Sequence, residues 1–358
     1  MQRFQPMSKK QRLIIVSSRQ FGYQTDYFKY AQYLKDRFEV VFFCLDQGEK
    51  RIDYDGVKVR YSSGNGTFKK WRYLLFVLNV AIYLLLHSGT VMIAYCRNCA
   101  LYKRLLPWRK MVINFRTVSV AANKKTRHRE NERLRRESLP FDRVIMISEG
   151  GVEQLGFDRS KCSVVSLGAD VLSETDKDFN SIRLLYVGTF DNRDLQKTIE
   201  GLHIFVSRNP GADIHYELVG DGEEYYILKK QIRELGLQTF VTMHGRKPYD
   251  ELPPFFDRCN VGISFVPITE WYAYQPPTKT FEYVLSGLFC IATDTYANHQ
   301  VINSQNGLLI QDTPGAFAEA LNHVYNHRSD YNSSQIRKTM TAYTWDRIID
   351  DQLIPALE

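Results

Sequence analysis

An alternation restricts the fold of this chain more than any single motif. Short runs of β-branched and aromatic residues alternate with amphipathic stretches of helical period, a pattern that builds βα units feeding parallel sheets. It is clearest in the second half, where LLYV (184–187), HYELV (215–219), FVTMH (240–244), VGISFV (261–266), FCIAT (289–293) and GLLIQ (307–311) read as strands. Between most of them lie the helix-like segments LQKTIEGLHIFVS, EEYYILKKQIRELG, YDELPPFFDRC and TKTFEYVLSG, and Gly220, Gly236 and Gly287 stand where an element should stop. The first half is less regular: RLIIVSS, a helix over TDYFKYAQYLKDR, EVVFFCLD, MVINF (111–115) and RVIMIS (143–148). A polar stretch, SETDKDFNS (173–181), has no apolar periodicity and reads as a linker. The expectation is an α/β protein of two doubly wound, Rossmann-like parallel-sheet domains facing a central cleft, residues 1–172 and 173–343.

The net charge of +7 hides a division between these halves. Residues 1–170 carry 31 Lys and Arg against 15 Asp and Glu, whereas the remainder carries 16 against 25. A basic half attracts phosphate in nucleic acid, at a phospholipid surface or in a lipid diphosphate, and charge alone does not choose among them. The six cysteines fall mostly inside apolar runs such as VFFC and FCIAT and read as reduced core thiols. Cys96 and Cys99 form one C-x2-C with no partner pair at zinc spacing, so no metal is expected. The opening MQRFQPMSKKQRLIIV has no apolar stretch long enough for a secretion signal, which points to a cytoplasmic protein.

One segment admits three readings. Tyr73 to Cys96 is 24 residues without Asp, Glu, Lys or Arg, long enough to span a bilayer, yet His87-Ser88-Gly89-Thr90 interrupts it. Leu74, Leu75, Leu78, Ile82, Leu85 and Leu86 share one helical face, followed by VMIAY, which fits a buried strand. A spanning helix, an ordinary helix plus strand, and a helix that dips into a membrane interface all fit, and the flanking Trp71, Arg72 and Arg104 to Lys110 favour the last over a plain core helix.

Ligands of α/β sheets bind where strand ends meet glycine-rich turns. Four such turns occur: SSRQFGYQ (17–24, with Gly22), VGTFDNR (187–193, with Gly188, Thr189 and Arg193), VGDG (219–222, with Gly220) and HGRK (244–247, with Gly245 and Arg246). None is a P-loop or a G-x-G-x-x-G, and each is also compatible with an empty tight turn. The strongest local signal is YQPPTKTFEYVLSGLFCIAT (274–293). Two prolines, the second Pro277, stiffen a loop, a helix starts near Thr278, and Glu282 sits in its second turn. A carboxylate there can accept two hydrogen bonds from a ribose diol, and Lys279 with the helix N-terminus suits a diphosphate. The alternative is a solvated helix carrying a Glu–Lys pair three apart.

Taken in order, LLYVGTFDNRDLQKTIEG, YELVGDGEE, MHGRKPYDELPPFFDRCNVGISFVP, P-x-K-x-F-E-Y-x3-G and NGLLIQDTPGAFAEAL resemble the nucleotide-sugar-binding domain of family 4 glycosyltransferases, over residues 182–325. The first half is similar more loosely, and YTWDRIIDDQLIPALE resembles the terminal helix, about 344–358, that in this GT-B fold crosses back to the first domain. The resemblance implies a retaining transferase that moves a sugar from a nucleotide-diphosphate sugar, UDP foremost, to an acceptor hydroxyl. It assigns Glu282 to the ribose, Gly245 and Arg246 to the base, and Arg193 with Lys279 to the diphosphate. Thr280 and Gly22 approach the phosphates, and Gly188, Thr189, Gly220, Tyr274 and Pro277 complete the donor site. Tyr274 stands where the family often has the first glutamate of E-x7-E, Thr189 where an arginine is common, and Arg116 of NFRT near a missing histidine. Arg116 is read as a phosphate or sugar contact. Such an enzyme needs neither metal nor cofactor if cations and a helix N-terminus stabilise the departing diphosphate.

The basic half then calls for an acceptor. KKTRHRENERLRR (124–136) carries seven Lys or Arg, among them Lys124, Lys125, Arg127 and Arg129, and reads either as a solvated helix or, joined to the leucine face with Trp71 and Trp108, as a patch for an anionic membrane. The expected acceptor is a lipid-linked saccharide at the inner face of the cell membrane, in polysaccharide biosynthesis. A non-catalytic GT-B subunit that binds nucleotide or lipid carrier is the alternative. Nucleic acid is not an expected partner, because no recognition module accompanies the charge.

Overall fold

The computed structural model describes residues 10–62 and 69–358, so residues 1–9, where a secretion signal was sought, lie outside it. The chain divides into two compact units, residues 1–166 with 345–358, and residues 167–344.

The first unit is a seven-stranded parallel sheet: β1 Gln11–Ser17, β2 Phe38–Leu45, β3 Val57–Ser62, β4 Thr90–Ala94, β5 Met111–Phe115, β6 Arg143–Met146 and β7 Cys162–Val164, in the order β3-β2-β1-β4-β5-β6-β7. Leu13 to Val16 of the central strand are wholly buried, as expected for a strand covered on both faces. Its helices are α1 Thr25–Leu34, α2 Lys69–Leu86, α3 Ala100–Leu105, α4 Lys124–Ser138 and α5 Glu149–Leu155. Helix α1 turns Tyr27, Tyr30, Ala31 and Leu34 inward, a one-sided apolar stripe. Strands β3 and β7 and helices α3 and α5 were not anticipated; both strands lie at the sheet edges, β3 as VKVRYS, whose alternation was passed over, and β7 as only three residues.

Of the three readings of Tyr73 to Cys96, helix plus strand describes the secondary structure, and no helix among the described residues is long and apolar enough to cross a membrane. The helix faces the core with Phe76, Val77, Val80, Tyr83 and Leu84. The leucine face is turned outward: Leu74, Leu75, Leu78, Ile82, Leu85 and Leu86 are 45% to 71% exposed. The same side of the unit exposes Trp71 at the start of α2, and Leu101, Leu105 and Trp108 on and after α3 are exposed as well.

The second unit is a six-stranded parallel sheet: β8 Ile182–Val187, β9 Ile214–Val219, β10 Val241–Met243, β11 Val261–Ser264, β12 Phe289–Thr293 and β13 Gly307–Ile310, in the order β10-β9-β8-β11-β12-β13. Its helices are α6 Leu195–Arg208, α7 Tyr225–Glu234, α8 Pro253–Arg258, α9 Thr278–Leu285, α10 Tyr296–His299, α11 Pro314–His327 and α12 Ser333–Lys338. The helix expected over YDELPPFFDRC shrinks to a 3-10 turn at Tyr249–Glu251 and the six residues of α8, because Pro253 and Pro254 open a new first turn. Stretch 173–181 has no helix or strand and is tied to this unit, Lys177 Nζ donating to Ser173 Oγ at 2.6 Å and to Phe256 O at 2.7 Å.

In both sheets the strand order reverses beside the first strand, at β1/β4 and β8/β11, which is where open α/β sheets bind ligands. The terminal segment belongs to the first unit. Trp345 is buried edge-on to Tyr30, Arg37 pairs with Asp350 at 2.8 Å, and the Ser166 amide donates to Gln352 at 2.8 Å. This segment is not one regular helix: a π turn at Ile349–Leu353 precedes Pro355, which has no N–H to continue an α-helical ladder.

Helix α9 is locked to the sheet by its inner residues. Tyr283 lies under Gly262 of β11, where a Cβ would stand 2.3 Å from the ring, and its hydroxyl accepts a hydrogen bond from the Val187 amide at 2.8 Å. Tyr283→Phe is therefore expected to cost about 1 kcal/mol, read as a lower urea midpoint with unchanged slope, because it strands the amide that ends β8.

Candidate functional site

The turns after β8 and β9 line a pocket of about 530 Å³, together with Arg246 and Lys247 from the turn after β10. Gly188 and Gly220 make that packing possible. A Cβ on Gly220 would lie 1.8 Å from the Gly188 carbonyl oxygen, so no other residue fits there. The Gly220 amide donates to the Gly245 carbonyl at 2.9 Å, which joins the second and third turns. Thr189 does not face a ligand freely, since its hydroxyl donates to Asp191 at 3.0 Å. Behind the Gly245 turn, Glu217 accepts from Arg258 Nε at 3.0 Å and also pairs with His244, and these contacts hold its carboxyl below the usual range despite partial burial.

Helix α9 brings Lys279 and Glu282 to this region on one face, while Thr280 and Tyr283 face inward. Thr280 is wholly buried and its hydroxyl is engaged with Ser264 at 2.6 Å and Asn298 at 3.1 Å, so it anchors the helix rather than presenting a group to a ligand. Glu282 is 8% exposed. The Lys279 stem reaches the surface, but its Nζ is sealed from solvent and makes no hydrogen bond. The nitrogen lies 3.5 Å from the centre of the Tyr186 ring and would be 3.1 Å from a Cβ on Gly188. Burial pushes its pKa well below the ordinary lysine range, Arg193 adds to that shift, and Glu282 opposes it. A solvated Glu–Lys pair is thereby excluded. What remains is a buried amine with no hydrogen-bond acceptor, behind the turn that lines the pocket.

Arg193 stands close by, donating to the Tyr272 hydroxyl at 2.9 Å with its guanidinium 5.0 Å from that ring. Tyr274 rests against Tyr296, with ring centres 5.0 Å apart, and Pro277 is the residue that caps α9. Two residues beside Glu282 escaped sequence reasoning. The Tyr249 hydroxyl lies 2.8 Å from Asp170 Oδ2 and 3.1 Å from Glu282 Oε1. Tyr249 lies within the quoted MHGRKPYDELPPFFDRC stretch but was given no role there, and only the tertiary structure brings positions 170, 249 and 282 together.

The residues named in the first unit separate into two groups. Gly22 follows β1 with φ +90°, a backbone that disfavours other residues. Arg116 is buried, donating to the Val165 carbonyl at 2.8 Å and to Asp26 at 3.1 Å. Burial opposes its charge, but Asp26 together with the Tyr30 and Tyr27 hydroxyls outweighs that and keeps it protonated. These bonds commit its guanidinium to the unit's own structure. Arg127 likewise turns inward, donating to the Ala121 and Ala122 carbonyls at 2.9 and 3.0 Å, whereas Lys124, Lys125 and Arg129 are exposed on α4. Arg72 is half-buried and bonds the Asp46 carbonyl.

All six cysteines are free. Among the described residues no group of three His, Cys, Asp or Glu side chains could hold a metal ion. A somewhat larger polar groove, about 640 Å³, runs beside His323, His327, Tyr331 and Lys338, but it is remote from the strand ends of the switch point and lacks a sealed charge.

Residues 181–327 match the family model described as Glycosyl transferases group 1. No curated protein sequence matches the chain. Among solved structures, it is similar to the lipopolysaccharide outer core galactosyltransferase WaaB in its apo form, at 17% identity and TM-score 0.69 over 96% of this chain and 99% of that one. It is also similar to HepE from Anabaena in complex with UDP, at 16% identity and TM-score 0.73 over 97% and 99%. Sucrose-phosphate synthase from Thermosynechococcus elongatus gives 17% identity and TM-score 0.73 over 95% and 96%. The fold is GT-B, and the second unit carries a glycosyltransferase domain.

Removing the sealed amine should stabilise the empty protein. Lys279→Met is expected to raise unfolding free energy by about 1–3 kcal/mol at neutral pH. With the native pKa below the unfolded one, the unfolded chain binds the extra proton between the two, so wild-type stability climbs with pH there. The advantage of the variant should shrink as pH approaches about 10.4 in urea titrations.

Proposed function

We propose that the protein is a retaining glycosyltransferase that moves a sugar from a UDP-sugar to a hydroxyl of a lipid-linked saccharide in polysaccharide biosynthesis. The observation that carries this reading is the sealed Lys279 amine, without a hydrogen-bond acceptor, behind the Gly188 turn and next to a buried Glu282 at the switch point. A diphosphate supplies the missing anion, and a ribose diol supplies two donors for the carboxylate. HepE was solved with UDP, and WaaB is a lipopolysaccharide outer core galactosyltransferase, which agrees with this choice of donor and acceptor class.

In the reaction the bond from the anomeric carbon to the diphosphate breaks, and negative charge grows on the leaving oxygen. Lys279, Arg193 and the N-terminus of α9 stabilise that charge without a metal or cofactor. The acceptor hydroxyl attacks from the face that the diphosphate leaves, and a diphosphate oxygen takes its proton. Gly188, Gly220, Gly245 and Arg246 shape the pocket that receives the nucleotide.

The first unit supports the acceptor side. A row of large apolar side chains on α2 is exposed, with Trp71 in the first turn of the same helix, and Trp108, Arg104 and Lys110 of the same unit are exposed as well. Such a surface suits a monotopic contact with anionic lipid, where burying each leucine contributes about 1.5–3 kcal/mol. The exposed Lys124, Lys125 and Arg129 of α4 add cations suited to a lipid diphosphate. On this reading the enzyme works at the inner face of the cell membrane.

In a thermal-shift panel of UDP, GDP, ADP and their sugars, UDP compounds are expected to give the largest rise in Tm, and equal small shifts for all would remove the donor assignment. Slow hydrolysis of the preferred nucleotide sugar should fall at least tenfold in Glu282→Ala, since a hydrogen bond to a charged group contributes about 1.5–3 kcal/mol. A non-catalytic subunit would hydrolyse none. Flotation with vesicles containing anionic phospholipid is expected for the native protein and should be lost in a Leu78→Asp/Ile82→Asp double variant that keeps its nucleotide-induced shift.

A further inference from the structure

Tyr249 occupies an unusual position. Its phenol has one proton and two carboxylate neighbours, Asp170 Oδ2 at 2.8 Å and Glu282 Oε1 at 3.1 Å. One hydroxyl hydrogen cannot serve both fully, so the contact is divided. The three residues come from separate places in the second unit: Asp170 precedes β8, Tyr249 opens the 3-10 turn after β10, and Glu282 lies in α9. Tyr249 is 46% exposed while Glu282 is 8% exposed, so the ring stands on the solvent side of the carboxylate. A ligand hydroxyl that seeks Oε1 meets the tyrosine hydroxyl there.

We infer that Tyr249 is a built-in competitor for the pentose site: in the empty protein its hydroxyl takes the place of a ribose hydroxyl on Glu282, and donor binding moves that hydrogen bond over to Asp170. This rests on the reading of Glu282 as the ribose-binding carboxylate. Asp170 makes the exchange cheap, because the displaced phenol already lies within hydrogen-bond distance of a second acceptor. No covalent bond changes. A nucleotide with both ribose hydroxyls replaces the divided donor with two full ones, whereas a nucleotide without them leaves Tyr249 in place and gains nothing from Glu282. Tyr249 thus tempers the affinity that a diol gains from the carboxylate and leaves ligands without a diol unaffected.

The test compares UDP with 2′,3′-dideoxy-UDP on wild-type protein and on Tyr249→Phe, by calorimetric titration at one salt concentration. Phenylalanine keeps the ring, and the melting temperature of the free variant checks that it folds. Wild type is expected to prefer UDP. Tyr249→Phe should bind UDP about threefold to tenfold more tightly, the range for removing one competing hydrogen bond, with dideoxy-UDP affinity unchanged. A ring with a purely structural role would not produce a gain confined to the diol-bearing nucleotide. UDP affinity that is unchanged or weaker in Tyr249→Phe, while wild type still prefers UDP, overturns this inference alone. Equal affinity of wild type for the two nucleotides overturns the ribose reading and this inference with it.

Discussion

The second unit depends on how α9 is seated. Two of its residues bind it to the sheet: Thr280 through Ser264 and Asn298, and Tyr283 through the Val187 amide beneath Gly262. With those contacts made, helical geometry leaves little choice about where Lys279 and Glu282 go, since positions three apart share a face. The Tyr283 hydroxyl holds the last residue of β8, and the Gly188 turn begins directly after it. Anchor and candidate site are therefore one construction, and a shift of α9 would displace the turn as well as the two charged groups.

That construction leaves electrostatic costs in place. An amine with no acceptor sits under Gly188, and two carboxylates share one phenol at Tyr249. Burial and the nearby carboxylates both push the Tyr249 hydroxyl far above its ordinary range, so it stays a donor at every physiological pH. Unsatisfied or divided polar groups are destabilising in an empty protein, and they cluster where ligand groups can complete them. Two buried cations elsewhere do have a carboxylate partner: Arg116 with Asp26, and Lys103 with Asp142 at 2.8 Å. Lys279 differs from them in lacking one beside a turn that lines a pocket.

In the first unit the informative departure is apolar. Helix α2 has enough hydrophobic residues to cover two faces, and Phe76, Val80 and Leu84 already satisfy the core. The outward residues Leu74, Leu75, Leu78, Ile82, Leu85 and Leu86 are 45% to 71% exposed, with exposed Trp71 on the same helix. Contiguous exposed apolar surface of this kind marks an interaction site in ordinary globular proteins.

How much of this was legible beforehand follows from the range of each interaction. Strand and helix identity in the second half, the glycine turns and the succession of motifs are local, carried by period, turn chemistry and spacing, and the GT-B architecture followed from them. Strand β7, three residues long, is too short to carry a period, β3 (VKVRYS) alternates and was legible though not read, and the proline pair at 253–254 cut a helix that periodicity alone would have continued. The leucine stripe of α2 was visible as a stripe, but its direction was not, because either face of a doubly apolar helix can meet a core. Arg116 and Arg127 were identifiable as cations beside a strand end and on a basic helix, yet their partners lie in the backbone of neighbouring loops. By itself, then, the order of residues determined the element types, the two parallel sheets and the candidate status of Lys279 and Glu282. Only the tertiary structure decided which charges are spent internally, which remain unpartnered, and that Asp170 and Tyr249 join Glu282, because those outcomes depend on distances between segments far apart in the chain.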